Sequence, residues 1–151
     1  MSLTFETGDI FKSSSEAIVN PVNTVGVMGK GLALMFKKKF PENFHAYKIA
    51  CECGDLQIGK IFATKSPNHP SFCWIVNFPT KKHWRAKSEI SWIELGLKDL
   101  KFFLLDNNIR SISIPALGSG LGGLNWPDVK NLMAKELSEL QGIEVLVFEP
   151  R

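Results

Sequence analysis

Three stretches of this sequence gather residue types that can do chemistry together. In Asn77 to Lys87, NFPTKKHWRAK, Lys81 directly follows an apolar run, with Lys82, His83, Trp84, Arg85 and Lys87 after it. Neighbouring positive charges disfavour an ammonium, and partial burial acts in the same direction, so Lys81 is predicted to offer a neutral amine as nucleophile or base. The surplus cations and Trp84 also suit a nucleic-acid strand, by phosphate contacts and base stacking. In Asn20 to Gly31, NPVNTVGVMGKG, the glycines at 26, 29 and 31 stand just before a helical stretch, where backbone amides converge on an anion. Lys30 has no Ser or Thr after it, and the spacing misses the dinucleotide fingerprint, which argues against a nucleoside triphosphatase or a dehydrogenase. Asn20 and Asn23 add carboxamides suited to sugar hydroxyls. In Pro115 to Trp126, PALGSGLGGLNW, glycines at 118, 120, 122 and 123 carry more chain entropy than a plain turn requires, which points to a close approach to the backbone. Two such loops predict a cradle that holds a diphosphate from both sides by main-chain amides. Asp9, after the first apolar run, either caps a turn or accepts a hydrogen bond from an adenine amino group.

These loops need a scaffold. Short β-type runs at Leu3–Phe5, Ala17–Val19, Ile61–Thr64, Phe72–Phe78, Ser111–Ile114 and Glu144–Phe148 are mostly too apolar to alternate, as in strands buried on both faces. Helical periodicity runs from Ser88, a candidate N-cap, to Asp106, through Ile90, Ile93, Leu97, Leu100 and Leu104, with Asn107-Asn108 as a stop. A second helix follows Trp126, opened by Pro127, striped by Val129, Leu132, Met133, Leu137 and Leu140, and closed by Gly142. Two shorter ones, Leu32–Lys39 and Glu42–Cys53, flank Phe40-Pro41. Strands alternating with helices predict an α/β sandwich whose ligand lies beyond the carboxyl ends of the strands.

With 151 residues, 44% of them hydrophobic and 22% charged, the chain suits one domain, residues 1–151, with a sufficient core. A net charge of +3 does not by itself demand a polyanionic partner; the cations concentrate at Lys30–Lys39 and Lys81–Lys87. Three cysteines, Cys51, Cys53 and Cys73, fit neither a zinc knuckle nor a CxxC redox site and read as reduced thiols. The dispersed His45, His69 and His83 suggest no metal. The acidic start and the lack of a long apolar run predict neither export nor membrane insertion, hence a cytoplasmic protein.

Taken in order, GDI at Gly8–Ile10, NPVN at Asn20–Asn23, VGVMGKG at Val25–Gly31 and GSGLGG at Gly118–Gly123 resemble the macrodomain family, which binds ADP-ribose. GVMGKGLALMFKKKFP, NFPTKKHW and the closing VFEP are similar, more narrowly, to the macrodomains of the DarG antitoxins, which remove ADP-ribose from DNA modified by DarT-type toxins. The resemblance implies a three-layer α/β/α sandwich with a mixed, mostly parallel sheet. It implies an ADP-ribosyl glycohydrolase that acts on modified bases, thymidine in single-stranded DNA, with ADP-ribose as ligand and product and no other cofactor. Asp9 would meet adenine beside Gly8 and the Ile10 backbone. Asn20, Asn23, Val27, Met28, Gly29, Lys30 and Gly31 would surround the distal ribose, and Pro115, Leu117, Gly118, Ser119, Gly120, Leu121, Gly122, Gly123 and Leu124 the diphosphate. Lys81 would be catalytic, with Asn23 fixing the ribose for reaction, and Lys82, His83, Trp84, Arg85 and Lys87 would contact DNA. A DarT-type toxin is the implied partner, engaged mainly by a segment that in DarG antitoxins lies C-terminal to this domain.

The related terminal ADP-ribose glycohydrolases carry an aspartate in the second glycine loop, where Gly122 stands here. That leaves three roles open for Lys81: nucleophile, general base on water, or cation. Two other readings share the cleft, a non-catalytic ADP-ribose reader and an O-acetyl-ADP-ribose deacetylase.

Overall fold

The structure, a computed structural model, describes residues 2–67 and 69–150. Along the chain run β1 (Leu3–Glu6), a 3₁₀ turn (Ile10–Lys12), β2 (Ala17–Asn23), α1 (Gly31–Lys39), α2 (Pro41–Glu52) and β3 (Phe62–Lys65). There follow β4 (Trp74–Lys81), α3 (Ile90–Asp106), β5 (Ser111–Pro115), α4 (Trp126–Leu137) and β6 (Glu144–Phe148). The strands form one sheet in the order β1-β6-β5-β2-β4-β3, parallel throughout except for β3 against β4. This is the mixed, mostly parallel sheet the sequence implies.

Alternation along β2 explains the layers. Ala17 and Val19 join Ile93, Leu97, Val129 and Met133 in the core under α3 and α4, whereas Ile18 packs with Ile10, Phe36 and Phe40 on the α1 side. Side chains on successive residues point to opposite faces, so an inner strand must be apolar on both. The buried stripe of α3 is the expected one except for Ile90, which is exposed in the first turn. Lys98 and Lys101 on α3 reach the buried Glu136 on α4, each at 3.2 Å. Burial pulls the Glu136 carboxyl upward, but these ammoniums outweigh it and hold the group below the usual carboxylate range.

Gly96 on α3 packs directly against Phe78 of β4. A Cβ there would lie 2.3 and 2.6 Å from ring carbons of the fully buried Phe78. Gly96→Ala gains roughly 1 kcal/mol in helix propensity but incurs an overpacking cost of about 1–3 kcal/mol. The expected outcome is a lower urea midpoint, with the deficit shrinking in a cycle with Phe78→Leu.

Several element boundaries differ from expectation. β2 and β4 continue through Pro21 and Pro79, beyond the expected ends at Val19 and Phe78. β2 pairs with β5 only at Ala17 and Ile18, so nothing on that side needs the missing N–H of Pro21. Ser88 does not cap α3: Glu89 occupies the cap position without a side-chain hydrogen bond. α4 ends at Leu137, before Gly142.

Candidate active site

The early separation of β2 from β5 opens the site. The chain leaves β2 towards β4 on one side, and leaves β5 towards β6 on the other, so the crevice lies at a switch point of the sheet. A cleft of about 740 Å³ lies there, within the usual size range of small-molecule sites, and all three chemistry-bearing loops contribute to its walls.

The first glycine loop supplies Asn23, Val27, Gly29, Lys30 and Gly31, the last opening α1 at φ +57°, which favours glycine. Its shape is set from below by Tyr47 of α2, the chain's single tyrosine, fully buried. The Tyr47 hydroxyl lies 2.8 Å from both the backbone oxygen and Oδ1 of Asn23. Val25 N and Val27 N also donate to Oδ1, at 3.1 and 3.3 Å, and Asn23 Nδ2 donates to Val27 O at 2.7 Å. Burial pushes the Tyr47 hydroxyl up from the usual tyrosine range, so it stays a donor. Asn23 therefore organises the loop, with one N–H left to offer. Tyr47 has no warning in the local pattern, where it reads as one more apolar position of α2.

The second glycine loop contributes Pro115, Ala116, Gly118, Gly120, Leu121 and Gly122 to the opposite wall. Gly118 O accepts from Leu124 N at 2.9 Å, and Ser88 N donates to Gly122 O at 2.9 Å, which ties this loop to the chain after β4. A Cβ at 122 would lie 2.4 Å from Gly118 O and 2.5 Å from Ser88 Oγ. No side chain fits, so the missing aspartate is a property of the backbone path as well as of the sequence. Gly120 differs: a Cβ there meets nothing within 4 Å.

Lys81 ends β4 inside the cleft. The register pairs Val22 with Pro79 and then Asn23 with Lys81, so an irregularity at Thr80 sets the lysine opposite Asn23. Such irregularities re-aim side chains beside active sites. Thr24 N donates to Lys81 O at 3.1 Å and Thr24 Oγ1 to Lys82 O at 2.9 Å, fastening the first loop to the strand end. Lys81 Nζ donates to Trp84 O at 3.4 Å. Its ammonium is held below the ordinary lysine range by burial, and next by the charge of Lys30. The direction is the expected one, but the cationic neighbour is different: Lys30 comes from the facing loop, because Lys82 and Lys87 turn outward as exposed side chains and Arg85 lies over the Trp84 ring. Of the cations after Lys81, only Arg85 joins the cleft wall, beside Trp84.

Several sequence-based candidates lie elsewhere. Asn20 is fully buried and donates to Asn77 Oδ1 at 3.1 Å, within a carboxamide cluster completed by Asn43; its parity on β2 turns it into the core. Met28 packs with Val22 and Tyr47 beneath the first loop, and Leu117 packs in the α3–α4 core, so neither side chain lines the cleft. Ser119, Gly123 and Leu124 lie outside the cleft wall, as do Gly8, Asp9 and Ile10. Asp9 Oδ1 caps the 3₁₀ turn by accepting from Phe11 N at 2.9 Å, and Ile10 shares a cluster with the wall residue Leu32. Pro21, Val22, Leu32, Ala33, Thr80 and Ala116 line the cleft without having stood out in the sequence. Among the described residues, no Asp or Glu lines it, and no group of His, Cys, Asp or Glu is arranged to hold a metal ion.

The pattern of the Macro domain family matches residues 19–133. The chain is 50% identical over 148 residues to a DNA ADP-ribosyl glycohydrolase of Thermus aquaticus, covering 98% of this chain and 41% of that protein. It is similar to the solved macrodomain of Mycobacterium tuberculosis DarG, at 43% identity and a TM-score of 0.96, with 99% of this chain and 98% of that one covered. It is also similar to Thermosipho africanus DarTG in complex with ADP-ribose, at 38% identity and a TM-score of 0.93, covering 99% of this chain and 42% of that one. The chain thus spans about two fifths of the length of the curated relatives it matches.

Proposed function

The chain belongs to the Macro domain family, and we propose that it is a DNA ADP-ribosyl glycohydrolase, cutting the bond between ADP-ribose and a nucleobase in single-stranded DNA. The carrying observation is Lys81: a partly buried amine at a strand end, facing Asn23 across the register, in a cleft walled by two glycine loops and, among the described residues, no carboxylate. A site that only bound ADP-ribose would have no use for an amine with a weakened hold on its proton.

The glycine loops hold the diphosphate by backbone amides, and the Asn23 loop orients the distal ribose, which brings the anomeric carbon to Lys81. Lys81 acts as a general base. Water's oxygen bonds to C1″ as the bond from C1″ to the base nitrogen breaks. One water proton stays on the new hydroxyl, and the other passes by way of Lys81 to the base nitrogen. Lys30 and Arg85, both in the wall, favour the negative charge that develops on the departing base. A lysyl adduct would have to be resolved without a carboxylate, which weighs against the covalent route.

The test offers the protein an ADP-ribosylated single-stranded oligonucleotide and an ADP-ribosylated protein side by side. The oligonucleotide is expected to lose its modification and the protein to keep it; the reverse would move the reading to another acceptor class. Reversal of a DarT-type transferase in the cytoplasm is the corresponding physiological role. No helix among the described residues is long and apolar enough to cross a membrane.

Lys82 and Lys87 are exposed, follow Lys81 closely in the chain and are suited to strand phosphates. Lys82→Glu with Lys87→Glu is expected to raise KM for modified oligonucleotide at low salt and leave free ADP-ribose affinity unchanged. The salt dependence should flatten by roughly 0.7 in log–log slope per lost contact. An unaltered slope would make them ordinary surface cations.

A further inference from the structure

The cleft wall next to Lys81 is aromatic, and the proposed chemistry has not yet used it. Trp84 is 39% exposed, too open to be a core residue, and it lines the cleft. Its own carbonyl oxygen is the acceptor for Lys81 Nζ at 3.4 Å, so the indole is carried on a residue that touches the amine. The Arg85 guanidinium lies over the indole, 4.4 Å from the ring centroid, and the His83 ring stacks on it at 5.2 Å and 28°. A tight turn fixes the trio: Ala86 N donates to His83 O at 3.0 Å and Arg85 N to His83 Nδ1 at 3.1 Å.

We infer that the Trp84–Arg85 wall is the recognition surface for the leaving nucleobase, and that it selects a planar base over an amino-acid side chain as the group joined to ADP-ribose. This rests on the glycohydrolase reading. The bond to be cut must lie at Lys81, so the group beyond it falls against the residues that carry and flank the lysine's acceptor. Those residues layer a guanidinium and an imidazole against the indole, and the part of this layered π surface left open, with Trp84 39% exposed, is one on which a base stacks. A carboxylate side chain joined through an ester has no aromatic face to lay on it. Neutral planarity also suits a wall with cations and, among the described residues, without acids, because charge developing on the base meets Arg85.

The test uses an ADP-ribosyl nucleoside, which removes strand phosphates from the comparison, beside ADP-ribose esterified to a glutamyl peptide. Base stacking by alanine substitution is worth about 1–3 kcal/mol, which is roughly 5–150-fold at 1.4 kcal/mol per decade. Trp84→Ala is expected to lower kcat/KM on the nucleoside adduct by that factor, to be rescued largely by Trp84→Phe, and to leave free ADP-ribose affinity within about twofold. A second readout avoids turnover. With Lys81→Ala, the nucleoside adduct binds more tightly than free ADP-ribose, and adding Trp84→Ala removes that excess. Undiminished turnover by Trp84→Ala, or equal losses on base and ester, overturns the inference while the glycohydrolase reading stands. A wild-type protein inactive on every base-linked substrate overturns both.

Discussion

Lys81→Ala is expected to lose release of ADP-ribose from modified DNA by roughly 10²–10⁴-fold, the usual worth of a positioned acid or base, and to keep free ADP-ribose affinity within a few-fold. The affinity survives because the glycine loops, not the lysine, form most of the cleft wall. The pH profile separates the roles the sequence leaves open. Burial and Lys30 lower the folded-state pKa of Lys81 below its ordinary 10.5. A neutral amine therefore gains population as pH rises, and the rate is expected to climb with pH and level off below that value. Lys30→Met removes a like charge, stabilises the ammonium and shifts the inflection upward. A rate that instead falls as pH rises through the inflection would assign Lys81 the role of a cation, and Lys81→Arg would then rescue. Reduction with borohydride during turnover is expected to trap no lysyl adduct, since a general-base route forms none, whereas an adduct formed in a cleft lined by no carboxylate among the described residues would be slow to resolve and would accumulate. Recovery of a stable adduct would restore the covalent route.

Gly120→Val and Gly122→Ala are expected to fail in different ways, although they sit two residues apart. A side chain at 120 has open space around it and extends into the cleft, so the fold should keep its melting temperature while the ligand meets the valine. Crowding of about 1–3 kcal/mol corresponds to roughly 5–150-fold weaker ADP-ribose binding by calorimetry. At 122 the new Cβ strikes Gly118 O and Ser88 Oγ, the first of them backbone, and the loop has to move. Stability and binding should then fall together, by about 2–4 °C in Tm per kcal/mol for a chain of this size. Intact ADP-ribose binding by Gly120→Val would refute the cradle. A Gly122→Ala protein with unchanged melting temperature and affinity would show that the ties from Ser88 and Leu124 do not hold the loop.

Much of this protein follows from local sequence. Continuous apolar runs and three-to-four spacing specify the strands and helices, because burial on one or two faces is a local demand on residue type. The glycine loops and Lys81 stand out for the same reason: clustered glycines and a lysine after an apolar run conflict with the elements around them. Side-chain direction needed the tertiary structure. Asn20 and Asn23 look equivalent in the motif, yet one turns into the core carboxamide cluster and the other meets Tyr47 under the loop. The irregularity at Thr80 sets Lys81 opposite Asn23. Lys30 becomes its cationic neighbour because two strands set 57 residues apart at Asn20 and Asn77 lie side by side. Period and composition are properties of neighbours along the chain, whereas the register of paired strands and the separation of β2 from β5 belong to the assembled sheet; the cleft exists only once that sheet has formed.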